Sequence, residues 1–162
     1  MILLISNISD TRKTPPPIIN FTIEKKVLDN RAEKLDTYFR SKEMPISGSG
    51  KYFIREADEH GLDWKLLAAI SVQESSGGKR MPEGSYNAFG WNSGNYTFDN
   101  FENAIEYISD KFENGKYYIG KDTLGILKTY NPPSVNKNYP NEVINIMKNI
   151  ETGDGRSTPL DN

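Results

Sequence analysis

The chain has 162 residues, no cysteine and a formal net charge of −2 from 20 basic and 22 acidic side chains. This length suits one domain that buries a core without cross-links, and the lack of cysteine excludes disulfides and thiolate metal sites. The near balance of charges argues against a nucleic-acid-binding protein that neutralises phosphates, and no apolar run approaches the ~20 residues that span a bilayer.

The N-terminal part is predicted to be an arm followed by a helix. Residues 1–22 include Thr14-Pro15-Pro16-Pro17, a stiff run that cannot be helical, so we interpret them as an extended arm that docks on a virion or another protein partner. Apolar residues recur at helical spacing over 23–45, which predicts a linking helix. Residues 46–151 are the predicted domain, and 152–162 a mobile tail.

The domain is predicted to be mainly α-helical. Its helices are expected after the loop Ser47–Gly50 to His60, from Asp63 to Glu74, from Asp99 to Gly115, from Asp122 to Tyr130, and from near Pro140 to Glu151. Three aspartates, Asp63, Asp99 and Asp122, are placed to cap the helices that follow them. Residues 75–98 are rich in glycine, asparagine and aromatic side chains without a helical period, which predicts an irregular or β-hairpin lobe.

Glu74 carries the clearest chemical signal. It ends the run Trp64–Gln73, which is too apolar for a surface helix and so predicts a helix that crosses the core. A carboxylate at the exit of such a helix is partly shielded from water, and burial raises the pKa of a carboxyl group. A general acid needs such a pKa, because it must keep a proton near neutral pH. The competing interpretation is a solvated residue in the last helical turn.

Three segments extend this signal: Val72-Gln73-Glu74-Ser75-Ser76-Gly77-Gly78, Asn87-Ala88-Phe89-Gly90-Trp91 and Tyr130-Asn131-Pro132. A Glu-Ser pair at a helix end, then an Asn-aromatic-Gly turn and a later Tyr-Asn pair, resembles the lysozyme-like superfamily. Within it, the chain is most similar to peptidoglycan glucosaminidase domains and soluble lytic transglycosylases. The resemblance covers about residues 50–151.

The resemblance implies a role for each matching residue. Glu74 would protonate the glycosidic oxygen of the leaving sugar, and Ser75 would hold that carboxyl or the local turn. The Asn-Ala-Phe-Gly turn would line the groove opposite the acid, and Tyr130 would contact Glu74 or the substrate. The candidate substrate-binding residues are Ser75, Tyr86, Asn87, Phe89, Gly90, Trp91, Tyr130 and Asn131.

The residue types support the same chemistry independently. Residues 85–98 supply flat aromatic faces for sugar rings, amides and hydroxyls for N-acetyl arms, and glycines that let the backbone approach a ligand. Trp91 is equally suited to stacking on a sugar and to packing within the lobe. Glu83 is a possible second acid and is equally readable as a turn residue. A mechanism with one carboxylate, assisted by the substrate's own acetamide or hydroxyl, is therefore the simpler hypothesis.

One departure bears on the type of reaction. Soluble transglycosylases have a Gly-Leu-Met-Gln stretch where this chain has Phe89-Gly90-Trp91-Asn92, which favours the glucosaminidase-like branch. The expected function is a glycosidase that cleaves β-1,4 bonds of peptidoglycan. The alternatives are a lytic transglycosylase that forms 1,6-anhydro ends, and a non-catalytic glycan-binding or virion structural component.

The remaining expectations concern cofactors and location. His60 is the only histidine, so a site with several histidines is excluded, and no cofactor or metal is expected. The expected partners are peptidoglycan glycan strands. Because the apolar start Met1–Ile5 is too short for a standard signal peptide, we expect a cell-wall, periplasmic or virion-associated protein that reaches the wall by another route.

Overall fold

The structure is a computed structural model and describes residues 29–153. The predicted arm at 1–22, the beginning of the predicted linking helix and most of the predicted tail lie outside these residues. The described part contains six α-helices and no strand. They are α1 (Arg31–Ser41), α2 (Gly50–Glu59), α3 (Leu66–Ser75), α4 (Phe101–Asn114), α5 (Thr123–Tyr130) and α6 (Tyr139–Thr152).

The mainly α-helical class is therefore confirmed for the described residues. The lobe between α3 and α4 is the irregular one of the two predicted forms, since its regular structure is a single 3-10 turn, Trp91–Gly94. The chain crosses the lobe mostly in turns, and the amide of Phe98 donates to the carbonyl of Ser85 at 2.8 Å to close it.

Helix α3 is buried on nearly every side, as its uniformly apolar sequence predicts. Leu66, Ala68, Ala69 and Ile70 are fully buried, and the helix packs chiefly against α6. It ends because Ser76 and Gly77 adopt left-handed backbone conformations, with φ of 54° and 62°. Glu74 consequently lies at the point where the chain leaves the core.

Helix α1 is part of the domain rather than a separate connection. Leu35 and Phe39 are fully buried in the same core as α3, and the ring of Phe39 lies 5.8 Å from that of Phe53 on α2. Helix α1 packs against both α2 and α6. Charged residues of α1 also bond to neighbouring parts of the chain, since Arg31 donates to Asp58 on α2 and Asp36 accepts from the amides of Gly48 and Gly50.

The helix starts agree with the predicted caps in one of three cases. Asp122 accepts a hydrogen bond from the amide of Gly125 at 2.7 Å and caps α5, as predicted. Asp99 does not cap α4, because Asn100 takes that position and accepts from the amide of Asn103. Asp63 accepts from the amide of Lys65 within a turn, and α3 begins only after that turn.

Within residues 29–153, no helix combines the length and the apolar character that a transmembrane segment requires.

Candidate functional site

A cavity of about 550 Å³ lies at the C-terminal end of α3, a volume within the usual range for small-molecule sites. The lining comes from α3, the lobe, α4, the turn after α4 and the end of α5. The lining residues are Glu74, Gly90, Trp91, Asn92, Ser93, Tyr96, Tyr107, Tyr118, Tyr130 and Asn131.

Glu74 is half-buried at the base of this cavity. Burial raises the pKa of its carboxyl group above the ordinary value of 4.5, and a hydrogen bond from Tyr139 acts in the opposite direction without cancelling the rise. The Tyr139 hydroxyl donates to Oε1 of Glu74 at 2.6 Å. The half-buried position agrees with the predicted shielding of this carboxyl, and burial acts on its pKa in the expected direction.

Tyr139 was not among the predicted site residues. It is the first residue of α6 and is buried, and burial together with the nearby charge of Glu74 raises the pKa of its hydroxyl far above the usual value. The hydroxyl therefore stays protonated and remains a donor to the carboxylate. The available signal in the sequence was a tyrosine directly before Pro140, at the expected start of a helix, and it does not specify a partner.

Gly90 brings the backbone of the lobe against the other oxygen of Glu74. A Cβ atom built on Gly90 would lie 2.9 Å from Oε2 of Glu74, and the residue has φ of 64°. Both the close approach and the left-handed backbone favour glycine at this position. Glycines of the lobe were predicted to let the backbone approach a ligand, whereas the close approach at Gly90 is to the Glu74 carboxylate.

Tyr130 lies beside the acid, but its hydroxyl bonds elsewhere. The hydroxyl donates to the backbone carbonyl of Phe89, and the ring stacks on that of Tyr139 with centroids 6.2 Å apart. Burial raises the pKa of Tyr130 well above its usual value, and the charge of Glu74 adds to the effect. Tyr130 thus joins α5 to the lobe while forming part of the lining.

Trp91 is the centre of an aromatic cluster. Its ring contacts the rings of Tyr107, Phe112, Tyr118 and Tyr130, with centroids 6.0–6.5 Å apart. Trp91 therefore packs within the domain, and it also lines the cavity, where stacking on a sugar stays a prediction.

Five other lining residues were not among the individually predicted ones: Asn92, Ser93, Tyr96, Tyr107 and Tyr118. The first three lie in the stretch 85–98 that was predicted to supply groups to the groove, whereas Tyr107 and Tyr118 lie outside it. Tyr96 stacks on Tyr107 at 5.2 Å, although the two lie on different elements.

Three predicted binding residues are instead internal to the lobe: Ser75, Asn87 and Phe89 are buried and do not line the cavity. The Ser75 hydroxyl donates to the carbonyl of Ala88 at 2.6 Å and accepts from the amide of Gly78 at 2.8 Å. It therefore holds the turn, which was one of its two expected roles.

Asn87 makes three hydrogen bonds within the lobe. Its side-chain amide donates to the carbonyls of Trp91 and Tyr96 at 3.0 and 2.9 Å, and its Oδ1 accepts from the amide of Trp91 at 2.9 Å. Phe89 packs its ring against Phe53. These residues shape the lobe from within, and their side chains are not available to a ligand in the cavity.

Two further predicted residues lie outside the lining. Tyr86 is 38% exposed and packs edge-on against Phe101. Glu83 is exposed in a turn, so the structure agrees with its interpretation as a turn residue. Glu74 is the one carboxylate among the lining residues. No group of three or more potential metal ligands occurs within residues 29–153.

No protein-family model matches the chain, and no curated protein matches it significantly. The arrangement itself can hold a neutral polar ligand against tyrosine and tryptophan faces and offer it a single proton from Glu74. The asparagine and serine side chains at the rim supply additional hydrogen-bonding groups.

Proposed function

We propose that this protein is a glycosidase that cleaves β-1,4 bonds between the N-acetylated sugars of peptidoglycan, with Glu74 as the general acid. The observation that carries the proposal is a half-buried carboxyl group with a raised pKa that faces an aromatic-lined cavity. Cleavage of a glycosidic bond needs a proton donor at the leaving oxygen. A raised pKa keeps Glu74 protonated closer to neutral pH than an exposed glutamate would be.

The lining supports a sugar chain as the ligand. It contains one tryptophan and four tyrosines, whose flat faces suit sugar rings and whose hydroxyls suit their polar edges. Two asparagines and a serine add groups that pair with acetamides. No lysine or arginine is among the lining residues, so recognition of a negatively charged ligand is not favoured.

The single carboxylate supports a mechanism with substrate assistance. Glu74 would give its proton to the glycosidic oxygen as the bond to C1 breaks, and the substrate's own acetamide or hydroxyl would stabilise the developing positive charge. The Glu74 carboxylate would then take a proton from the attacking water. Tyr139 serves as a positioning residue, because its hydrogen bond holds Oε1 while Oε2 lies toward Gly90.

The same observation favours a second candidate, a lytic transglycosylase. With one carboxylate in the lining, the attacking group can be a hydroxyl of the sugar rather than water. Glu74 would then take the proton of that hydroxyl as a 1,6-anhydro end forms. Mass spectrometry of the released fragments separates the two reactions, because the anhydro product lacks the added water.

The test is zymography on purified cell wall with the Glu74→Gln variant. We expect a loss of about 10²–10⁴-fold in lytic activity, the range for removal of a general acid. Glu83→Gln is the matched control, because Glu83 is an exposed glutamate of the same lobe, and it should keep full activity. Full activity of Glu74→Gln would contradict the proposal.

The third alternative, a non-catalytic glycan-binding component, predicts a different outcome. The wild-type chain would then bind peptidoglycan without releasing any fragment, and the Glu74→Gln variant would bind equally well. Pull-down on insoluble wall, run beside the zymogram, distinguishes this result from an inactive preparation.

A further inference from the structure

The segment between α4 and α6, residues 115–138, has an unusual surface. Among the described residues, five large apolar side chains are exposed, and four of them lie in this segment: Tyr117, Ile119, Leu124 and Val135. Single exposed apolar residues are ordinary on a protein surface. Their concentration in one segment is not, and it indicates an interaction site.

The same segment is basic in a chain that is acidic overall. It carries four lysines and one aspartate, a formal charge of +3, whereas the whole chain has −2. All four lysines, Lys116, Lys121, Lys128 and Lys137, are exposed.

The apolar and basic side chains are interspersed along the chain in this segment. Leu124 and Lys128 are four residues apart and so lie on the same side of α5, while Ile126 and Leu127 are buried. Lys116 and Tyr117 are neighbours, with the ammonium 5.6 Å from the ring centroid. Ile119 and Lys121 precede α5, and Val135 and Lys137 follow it.

We infer that residues 115–138 form a surface that binds an anionic phospholipid membrane. Lysines near a negatively charged leaflet are attracted to it, and apolar side chains among them enter the boundary between headgroups and acyl chains. A soluble phosphate polymer would satisfy the lysines alone and would offer nothing to Tyr117, Ile119, Leu124 and Val135. The mixture of the two types of side chain therefore favours a lipid surface.

This surface has a fixed relation to the cavity. The same segment contributes three residues to the lining of the cavity: Tyr118, Tyr130 and Asn131. A membrane on the outer side of residues 115–138 would hold the cavity next to the lipid. A bound glycan strand would then be one of those closest to the membrane. The lipid-binding inference itself does not depend on the proposed function.

The test is flotation of the full chain with vesicles of phosphatidylcholine, with or without about a third of phosphatidylglycerol. We expect binding to the anionic vesicles that is at least about tenfold stronger than to the neutral ones and that weakens as salt is added. Equal binding to both kinds of vesicle, or binding to neither, would overturn the inference. Binding to a soluble polyphosphate without binding to vesicles would overturn the choice of a lipid partner.

Two double variants test the two types of side chain. Lys116→Gln with Lys128→Gln should weaken binding to anionic vesicles roughly 25-fold, from about fivefold for each lysine. The control pair, Lys51→Gln with Lys148→Gln, changes two exposed lysines on α2 and α6 and should bind like wild type. If both pairs weakened binding to anionic vesicles equally, the effect would come from the net charge of the protein, and this would contradict a localised surface.

The apolar pair, Ile119→Ser with Val135→Ser, should weaken binding while leaving the thermal unfolding midpoint unchanged, because both side chains are mostly exposed. Unchanged binding by this pair would contradict insertion into the lipid boundary. Wall lysis, measured on detergent-washed peptidoglycan without membrane, should stay at the wild-type level in both double variants of the segment.

Discussion

The lobe of residues 75–98 and the segment of residues 115–138 both line the cavity, but they are built in different ways. In the lobe, the polar side chains of Ser75 and Asn87 are buried and bond to its own backbone. In the segment, all four lysines and four large apolar side chains, Tyr117 among them, face solvent, while Tyr118 and Tyr130 line the cavity.

This difference shows that the lobe mainly fixes the geometry of the cavity, whereas the segment also keeps side chains available for outside contacts. The lobe fixes the position of a few groups, above all the backbone at Gly90 and the ring of Trp91, by satisfying its polar atoms internally. The segment is held in place by its aromatic rings and by two buried residues of α5. Its lysines and large apolar side chains therefore remain exposed on the outer surface. Residues that look functional in a motif can therefore be the ones that support a site rather than touch a ligand.

The largest expected effect tests whether the lobe depends on its internal hydrogen bonds. Asn87→Ala removes three hydrogen bonds to the part-buried backbone of Trp91 and Tyr96, so the free energy of unfolding should fall by about 3 kcal/mol. Chemical denaturation measures this change. Asn95→Ala, at an exposed position of the same lobe, should change stability by less than about 0.5 kcal/mol.

A pair of glycines tests how closely the lobe approaches the acid. Gly90 and Gly94 both have positive φ, but a Cβ atom on Gly90 would meet Glu74, whereas one on Gly94 would meet nothing within 4 Å. The two alanine variants should therefore lose similar stability, while Gly90→Ala alone displaces the carboxylate. We expect about a hundredfold lower wall lysis for Gly90→Ala than for Gly94→Ala. Equal activities would show that the close contact has no bearing on the reaction.

Tyr130 and Tyr139, whose rings stack on each other, test which neighbouring hydroxyl controls the pKa of Glu74. Tyr139→Phe removes the hydrogen bond that stabilises the charged form of Glu74, so the pKa of Glu74 should rise further. A general acid acts in its protonated form, so the limb where activity declines with rising pH should move to higher pH. Loss of positioning should also lower the rate about tenfold.

Tyr130→Phe is the control, because its hydroxyl bonds to the carbonyl of Phe89 and not to Glu74. In this variant, the alkaline limb of the pH dependence of kcat/KM should stay at the wild-type pH, even if the rate itself changes. A shift of that limb in Tyr130→Phe and none in Tyr139→Phe would reverse the roles assigned to the two residues.

The smallest expected effect concerns stability and pH. Because the pKa of Glu74 is raised in the folded protein, the folded state binds a proton more tightly than the unfolded state. The resulting contribution to stability is fully present below pH 4.5 and is lost as pH rises through the higher folded pKa. Glu74→Gln cannot ionise, so its stability relative to wild type should increase over that window. A constant difference across the window, measured by denaturant titration, would contradict a raised pKa.

The sequence by itself determined the helices, the position of Glu74 and the shielding of its carboxyl group. A run as apolar as Trp64–Gln73 must be buried wherever the chain folds, and its end must then lie at the edge of the core. The cap at Asp122 also followed from local hydrogen bonding, which depends on neighbours in the chain.

Only the tertiary structure decided which residues share the cavity. The contacts of Glu74 with Tyr139 and Gly90, and that of Tyr96 with Tyr107, join residues that are distant in the chain or lie on different elements. Local periodicity shows which side of a helix is apolar but does not specify the partner element. Ser75 and Asn87 carry the same side chains whether they bind a ligand or their own backbone, and the folding of the lobe chose the backbone.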